Sequence, residues 1–481
     1  MAAFTDMLNT IGGWVWGVPM MVLIMGVGLL LSFRLGFLQF RQLGRALKYM
    51  VKNEEGGEGD VSSFGALSTA LAATVGTGNI VGVATAIVAG GPGALFWMVL
   101  AACLGMATKY AEGLLAIKFR VNKDGHMLGG PYYYIENGLG HKYKWLAMMF
   151  AFFGTVAGIM GIGTFTQINS ITSAFNALFD PNSKHIAFSI GAMDYTWATT
   201  VSAIVVTLCV ALVVIGGIQR ISSVASKIVP AMMVIYVITT LAILIFNIKE
   251  LPSAISEIVS SAFGLRAAAG GALGAMMAAM QKGVARGIFS NEAGLGSAPI
   301  AAAAAQTNEP VRQGLVSMTG TFLDTIVICT MTGLSIVLTG AHEQGLEGVA
   351  VTIFAFGEGL PWSHTASAFI LTLCLALFAF TTILGWDYYA EKCLEYLTNG
   401  NMKAVKTYRW LYIAAVFIGP FLTLSFVWAI ADIFNGLMAF PNLVALFALS
   451  GVVAKETKDY FMRLNSGEID EGFKAKEANS K

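Results

Sequence analysis

The first residues whose types and spacing suggest chemistry are Ala72-Ala73-Thr74-Val75-Gly76-Thr77-Gly78-Asn79-Ile80-Val81-Gly82. They lie inside an apolar segment of membrane-spanning length, yet two glycines flank a threonine and an asparagine follows. Glycine costs about 1 kcal/mol relative to alanine inside a helix. At bilayer depth an unwound backbone persists only where protein buries it or it lines a cavity. A break here frees carbonyls before Gly76, suited to sodium or an ammonium. It also leaves N–H groups and a positive dipole end after Gly78, suited to a carboxylate. The competing reading is close packing of helices through small residues. Asn79 and a second polar interruption downstream favour a site.

That second interruption is Arg286-Gly287-Ile288-Phe289-Ser290-Asn291-Glu292-Ala293-Gly294-Leu295-Gly296-Ser297-Ala298-Pro299, inside a span from about 271 to 305. A break around Phe289-Ser290-Asn291 adds carbonyls and Ser and Asn side chains. One site would then hold a zwitterion, with its carboxylate on the first break and its ammonium on the second. Gly76, Gly78 and Gly82 also approach a dinucleotide-loop spacing, but that loop needs a strand before it and a βαβ unit around it. Neither is present.

The positioning elements are membrane helices. Hydrophobic residues make up 56% of the 481 positions and charged residues 12%, about half the usual soluble share. Apolar runs of about 20 residues recur from end to end. The fold class is therefore an all-α polytopic membrane protein of about eleven spans. They cover roughly 13–33, 63–90, 93–119, 145–176, 196–216, 221–246, 271–305, 312–338, 350–390 (beginning with a short re-entrant or surface piece), 408–430 and 434–454. Lys and Arg concentrate in alternate loops: Arg34 to Lys52, Lys118 to Lys144, Arg220, Arg312, Lys392 to Arg409 and the tail. The other loops carry Lys184, Lys249 and Arg266. Positive-inside bias then places the N-terminus outside and the C-terminus in the cytoplasm. The broken spans are the second and the seventh, each opening a set of five. Five is odd, so the sets enter the membrane from opposite sides, as in an inverted 5+5 repeat with discontinuous first helices. The organisation expected is an extra helix and basic loop (1–62), a first repeat (63–246), a second repeat (247–454) and a polar, partly disordered tail (455–481). The five cysteines sit in or beside apolar runs without metal-ligand spacing and read as inert packing residues. The first apolar run lacks a basic n-region and reads as a retained span.

Three stretches resemble the alanine or glycine:cation symporter family, the sodium–alanine symporters: Ala73-Thr74-Val75-Gly76-Thr77-Gly78-Asn79-Ile80, Gly91-Pro92-Gly93-Ala94-Leu95-Phe96-Trp97-Met98 and Arg286-Gly287-Ile288-Phe289-Ser290-Asn291-Glu292-Ala293-Gly294. The resemblance runs from about residue 11 to 455, and Val99 departs from a common Trp. It implies the leucine-transporter fold and sodium-coupled import of a small neutral amino acid, alanine or glycine, across a prokaryotic plasma membrane. It further implies that Thr77, Gly78 and Asn79 meet the carboxylate, that Phe165 and Gln167 line the pocket, that Phe289, Ser290 and Asn291 bind or cover the amine, and that Trp386 narrows the cavity. Sodium would sit against backbone oxygens of Ala72 and Val75 and the hydroxyls of Thr381 and Thr382. Those two hydroxyls share one helical turn and add no charge, although back-bonding to their own helix competes.

Gln167 reads equally as helix glue or as a substrate contact. Intramembrane charges are functional candidates by default: Lys109, Glu112, Lys227, Lys282, Arg286, Glu292, Asp324, Asp387 and Glu391. Lys109 and Glu112, three apart, are expected to neutralise each other. Lys282 and Arg286, one turn apart, are expected to find an acid as an outer gate. His342-Glu343 lacks the second His of HExxH, no Gly-x-Ser-x-Gly occurs, and no reactive constellation points to an enzyme. The expected partners are alanine or glycine, sodium as the coupling ion and the lipid bilayer, with no other cofactor and no nucleic acid. The alternatives are a proton-coupled amino acid or amine transporter of the same fold and a passive channel.

Overall fold

The computed structural model describes residues 2–52, 54, 56–123, 126–190, 193–264 and 271–469. Arg266 and the tail beyond 469 lie outside the described residues. Among the described residues, eight helices are long and apolar enough to cross a membrane. The two interrupted spans and the 17-residue helix Met402–Ile418, about 25 Å long at 1.5 Å per residue, bring the number to eleven. The chain is thus an α-helical integral membrane protein, and two short antiparallel hairpins, Val121–Lys123 with His126–Leu128 and Ile186–Ile190 with Met193–Thr196, decorate its loops.

The second span is broken as expected. Ser62 caps its first half, accepting from the Gly65 N–H at 3.0 Å, a contact worth about 1 kcal/mol. That half, Ser63–Thr74, ends at Val75. A single 3-10 turn, Thr77–Asn79, follows, and the helix resumes as Val81–Gly90. The seventh span is broken later than expected. The helix Ala272–Asn291 still contains Phe289, Ser290 and Asn291 in its last turn. Glu292 then turns left-handed, at φ 58°, and the helix resumes as Ala298–Ala302. The last-turn carbonyls are still exposed by the break, since a helix leaves its final four C=O groups without intrahelical donors.

The fourth span is also interrupted. Lys144–Met160 and Phe165–Phe179 meet through Gly161–Thr164, where an added Cβ on Gly163 would lie 2.6 Å from the Trp386 Cβ. The eighth span, Pro310–Leu338, contains a π-helical stretch, Phe322–Cys329, a feature that concentrates at functional sites. The short piece before span nine is a separate helix, Val349–Gly359, followed by His364–Leu397. A helix not anticipated in the loop before span seven covers Leu251–Ala262. The last helix, Leu424–Asn465, runs past Lys455, so the start of the expected tail is helical.

Candidate functional site

The break in span two is closed by its own side chains. Gly76 donates its N–H to Asn79 Oδ1 at 2.8 Å, and Thr77 donates its N–H to Gln167 Oε1 at 3.1 Å. Because the Gly76 N–H turns to Asn79, the Ala72 carbonyl lacks its usual helical donor. Gln167 donates its amide to the Ile162 carbonyl at 2.9 Å, so its side chain is committed to holding the two broken spans together. Asn79 Nδ2 donates to Asp324 Oδ1 at 2.7 Å and to the Asp324 carbonyl at 3.1 Å. The Asn79 side chain is therefore engaged within the protein and does not face an open carboxylate position. Two donors remain: the buried Thr77 hydroxyl is unpartnered, and the Gly78 N–H makes no hydrogen bond among the described residues.

Both glycines are required by proximity. A Cβ at Gly76 would lie 2.4 Å from Thr382 Oγ1, and one at Gly78 would lie 2.9 Å from the Ser290 Cα. The first distance brings span nine to the break, and the second brings span seven.

Asp324, in the π-helical stretch, joins the two breaks. Its Oδ2 accepts from Ser290 Oγ at 2.9 Å and from Thr325 Oγ1 at 2.7 Å, while Oδ1 holds Asn79. Asn291 Nδ2 donates to Thr325 Oγ1 at 3.0 Å and Asn291 Oδ1 accepts from the Ala293 N–H. These bonds explain why the helix persists through Asn291: its polar side chains are satisfied sideways. Cys329, expected to be inert packing, lies 3.3 Å from Ser290 Oγ and 3.4 Å from Asn79 Nδ2.

The break in span seven has its own clasp. Glu112 Oε1 accepts from the N–H groups of Gly294 and Gly296, both at 3.1 Å, and from Asn442 Nδ2 at 2.7 Å. Glu112 therefore binds backbone and does not pair with Lys109. Glu292 accepts from Ser297 Oγ at 2.5 Å and from Trp386 Nε1 at 2.7 Å. Trp386 is fully buried, and its indole anchors the break as well as filling space.

On the cation side, Thr382 Oγ1 lies 3.3 Å from the Val75 carbonyl and 3.0 Å from the Phe378 carbonyl. Thr381 Oγ1 lies 3.0 Å from the same Phe378 carbonyl. Its hydroxyl bonds the Leu377 and Phe378 carbonyls of its own helix and faces Met232 Sδ at 3.6 Å. Consecutive residues on an α-helix point about 100° apart, and the two hydroxyls meet at the shared Phe378 carbonyl. The Val75, Phe378 and Ala72 carbonyls with the Thr382 hydroxyl form an uncharged oxygen set that fits a hard monovalent cation. Phe165 packs with Ala415 and Val427 in a satellite cluster.

The two faces of the membrane differ. Opposite the basic loops, Phe289 packs on Trp428 at 4.8 Å between ring centroids, and Arg286 lies over Trp428 at 4.5 Å. Arg286 finds its acid in Asp432, through bonds of 2.7 and 2.9 Å. Above this layer lies a cavity of about 500 Å³, lined by residues including Thr85, Ala89, Arg286, Glu347 and Trp428. On the basic face the path is sealed. Residues 58–61 run against Ala304–Thr307, with Asp60 and Val61 both donating to the Ala304 carbonyl. Arg120 donates to the carbonyls of Ala303, Ala305, Glu58 and Thr307. Asp432, Trp428, Asn442 and Arg120 were not picked out from the sequence. Asp432 was findable, as an acid within an apolar span.

The sequence profile of the sodium:alanine symporter family matches residues 1–475. An uncharacterized transporter of Haemophilus influenzae is 56% identical over 97% of this chain and 98% of its own length. The sodium/alanine symporter AgcS of Methanococcus maripaludis is 47% identical over 95% of this chain and 97% of its own. Among solved structures, MhsT in complex with L-phenylalanine aligns with TM-score 0.55 and 14% identity, covering 85% of this chain and 99% of that one. At that identity the likeness speaks for the fold, the leucine-transporter fold with its inverted five-span repeats. With a profile match along nearly its whole length and relatives at this identity, the chain belongs to the sodium:alanine symporter family.

Proposed function

We propose that this transporter couples sodium entry to import of a small neutral amino acid, alanine or glycine, by alternating access. The observation that carries the reading is the break at Gly76–Asn79. Its N–H and side-chain donors are bonded internally except for the Thr77 hydroxyl and the Gly78 N–H, two buried donors suited to a carboxylate. A buried donor left unpaired costs about 1–3 kcal/mol, so a ligand oxygen placed there is favoured. The carbonyls of Ala72 and Val75 with Thr382 would hold the sodium one turn away on the same half-helix. Thr77 and Gly78 are the carboxylate ligands in this reading. Phe289, Ser290 and Asn291 bound the amine side, and Trp386 closes the cavity through Glu292. Asn79, Gln167 and Phe165 act by holding the site.

The basic face is cytoplasmic by the positive-inside bias, with the N-terminus outside and the protein in a prokaryotic plasma membrane. The described arrangement then has its outer vestibule formed and its inner face latched. Sodium would order the carbonyl end of the break and with it the donors beyond Gly76, so ion and amino acid each raise the other's affinity. The test is equilibrium binding of labelled alanine to the purified protein, with glycine as competitor. Saturable binding that needs sodium supports the reading. Binding equally strong in choline but dependent on pH would favour proton coupling instead.

A further inference from the structure

Lys109, midway along span three (Gly93–Lys118), is 2% exposed. Among the described residues its ammonium has neither a hydrogen bond nor an ion pair, although a Lys carries three donors. Burying a charge without partners is costly, so the position calls for a ligand. Lys109 lines a cavity of about 10 Å³ with Leu71, Thr74, Ala298, Gln313 and Ser317, which is room for about one water. Gln313 Oε1, on the same cavity, is also buried and unpartnered. Three buried carboxylates, Glu112, Glu292 and Asp324, feel the Lys109 charge; each accepts hydrogen bonds from other donors, Glu112 through Oε1 alone, its Oε2 being buried and unpartnered.

The walls of this cavity are informative. Ala66 to Thr74 belong to the inner half of span two, Ala298 and Ala302 to the inner half of span seven, and Gln313, Ser317 and Gly320 to the start of span eight. On the basic face, Arg120 and the 58–61 segment that leads into span two clamp the end of span seven. The cavity therefore sits on the inner side of the two breaks, closed while the clamp holds.

We propose that Lys109 is a second carboxylate subsite on the inward path: when the inner halves part, the carboxylate of the departing amino acid passes from the Thr77 and Gly78 donors to the Lys109 ammonium, with Gln313 accepting from its amine. The inference rests on the symport reading above. An aliphatic amine or a sugar would gain nothing from this subsite, so it adds a carboxylate requirement on the cytoplasmic face.

The test uses the full chain in proteoliposomes, with Lys109→Met and Lys109→Arg. Outward-side binding of labelled alanine and the KM for unlabelled internal alanine in exchange are measured for each. Lys109→Met is expected to keep the outward affinity and to raise the internal KM by at least about tenfold, the worth of one hydrogen bond to a charged group, and Lys109→Arg to restore it. An internal KM unchanged in Lys109→Met overturns the subsite. Equal losses at both faces also overturn it, since they mark a merely structural ammonium. Failure of the unmutated protein to exchange alanine at all refutes the symport reading and the subsite with it.

Discussion

Replacing Asp324 by alanine removes the joint between the two broken helices. Asn79 on span two and Ser290 on span seven both donate to this carboxylate, at 2.7 and 2.9 Å. Leaving a buried donor without its acceptor costs about 1–3 kcal/mol. The loss is partly offset, because Asn79 keeps the Asp324 carbonyl at 3.1 Å and Ser290 keeps Cys329 Sγ at 3.3 Å. The net expectation is about 2–3 kcal/mol of coupling between the breaks, or about 30- to 150-fold in alanine affinity. Asp324→Asn retains one acceptor oxygen, and the Ser290 hydroxyl can rotate to accept from the new amide. It is expected to cost about 1 kcal/mol, or roughly fivefold. The assay is equilibrium binding of labelled alanine in saturating sodium, with a cycle against Ser290→Ala. The two changes should be non-additive by at least about 0.5 kcal/mol, as residues in contact are. Wild-type affinity in Asp324→Ala, or an Asn variant weaker than the Ala variant, would refute the joint.

Trp386→Phe removes the indole donor to Glu292 and should lower stability by about 1–3 kcal/mol. The check is a detergent melting series, and an unchanged midpoint contradicts the anchoring role. Arg120→Ala frees four carbonyls on the basic face and should shift the population toward the inner-open state. A cysteine at Ala302→Cys should then react several-fold faster with a polar thiol reagent from that side; an unchanged rate argues against the clamp. Asp180 accepts the backbone N–H of His185 at 2.9 Å and that of Lys184 at 3.0 Å, with the His185 ring 3.3 Å away. These contacts, the His185 N–H foremost, hold its carboxyl below the usual aspartate range. The ionised form is the stabilised one, so the contribution is fully present above the unfolded value of about 3.9 and is lost as pH falls through the lower folded value. Hydrogen exchange in 181–190 should accelerate in that acidic window, and Asp180→Asn should remove the dependence.

The break in span two was legible because glycine spacing is a backbone property, and backbone properties survive without tertiary context. The break in span seven was placed several residues early. Ser290 and Asn291 look like helix breakers in isolation, but Asp324 and Thr325 satisfy them from span eight, which no local pattern reveals. The interruption at Gly161–Thr164 carries a Gly-x-Gly spacing of its own, yet the sequence reads there as one continuous span; in the structure Gly163 lies against Trp386. Thr381 and Thr382 share the Phe378 carbonyl at 3.0 Å, and the contacts of Thr381 with Leu377 and Met232 are tertiary detail that adjacency in sequence does not reveal. Asn79 and Gln167 were correctly placed at the break, but their partners turn them into its supports. Eleven spans and two inverted sets of five followed from hydropathy and loop charge, which act over whole segments and tolerate local error.

In the proposed symport, the two unpartnered donors beyond Gly76 and the carbonyls before it bind an amino acid and sodium in one coupled event. Uptake of labelled alanine by proteoliposomes under an imposed sodium gradient measures this directly. Accumulation above the external concentration, abolished when choline replaces sodium and reversed in direction when the gradient is reversed, is the predicted result. Equal uptake with choline, or uptake that only equilibrates, would contradict it.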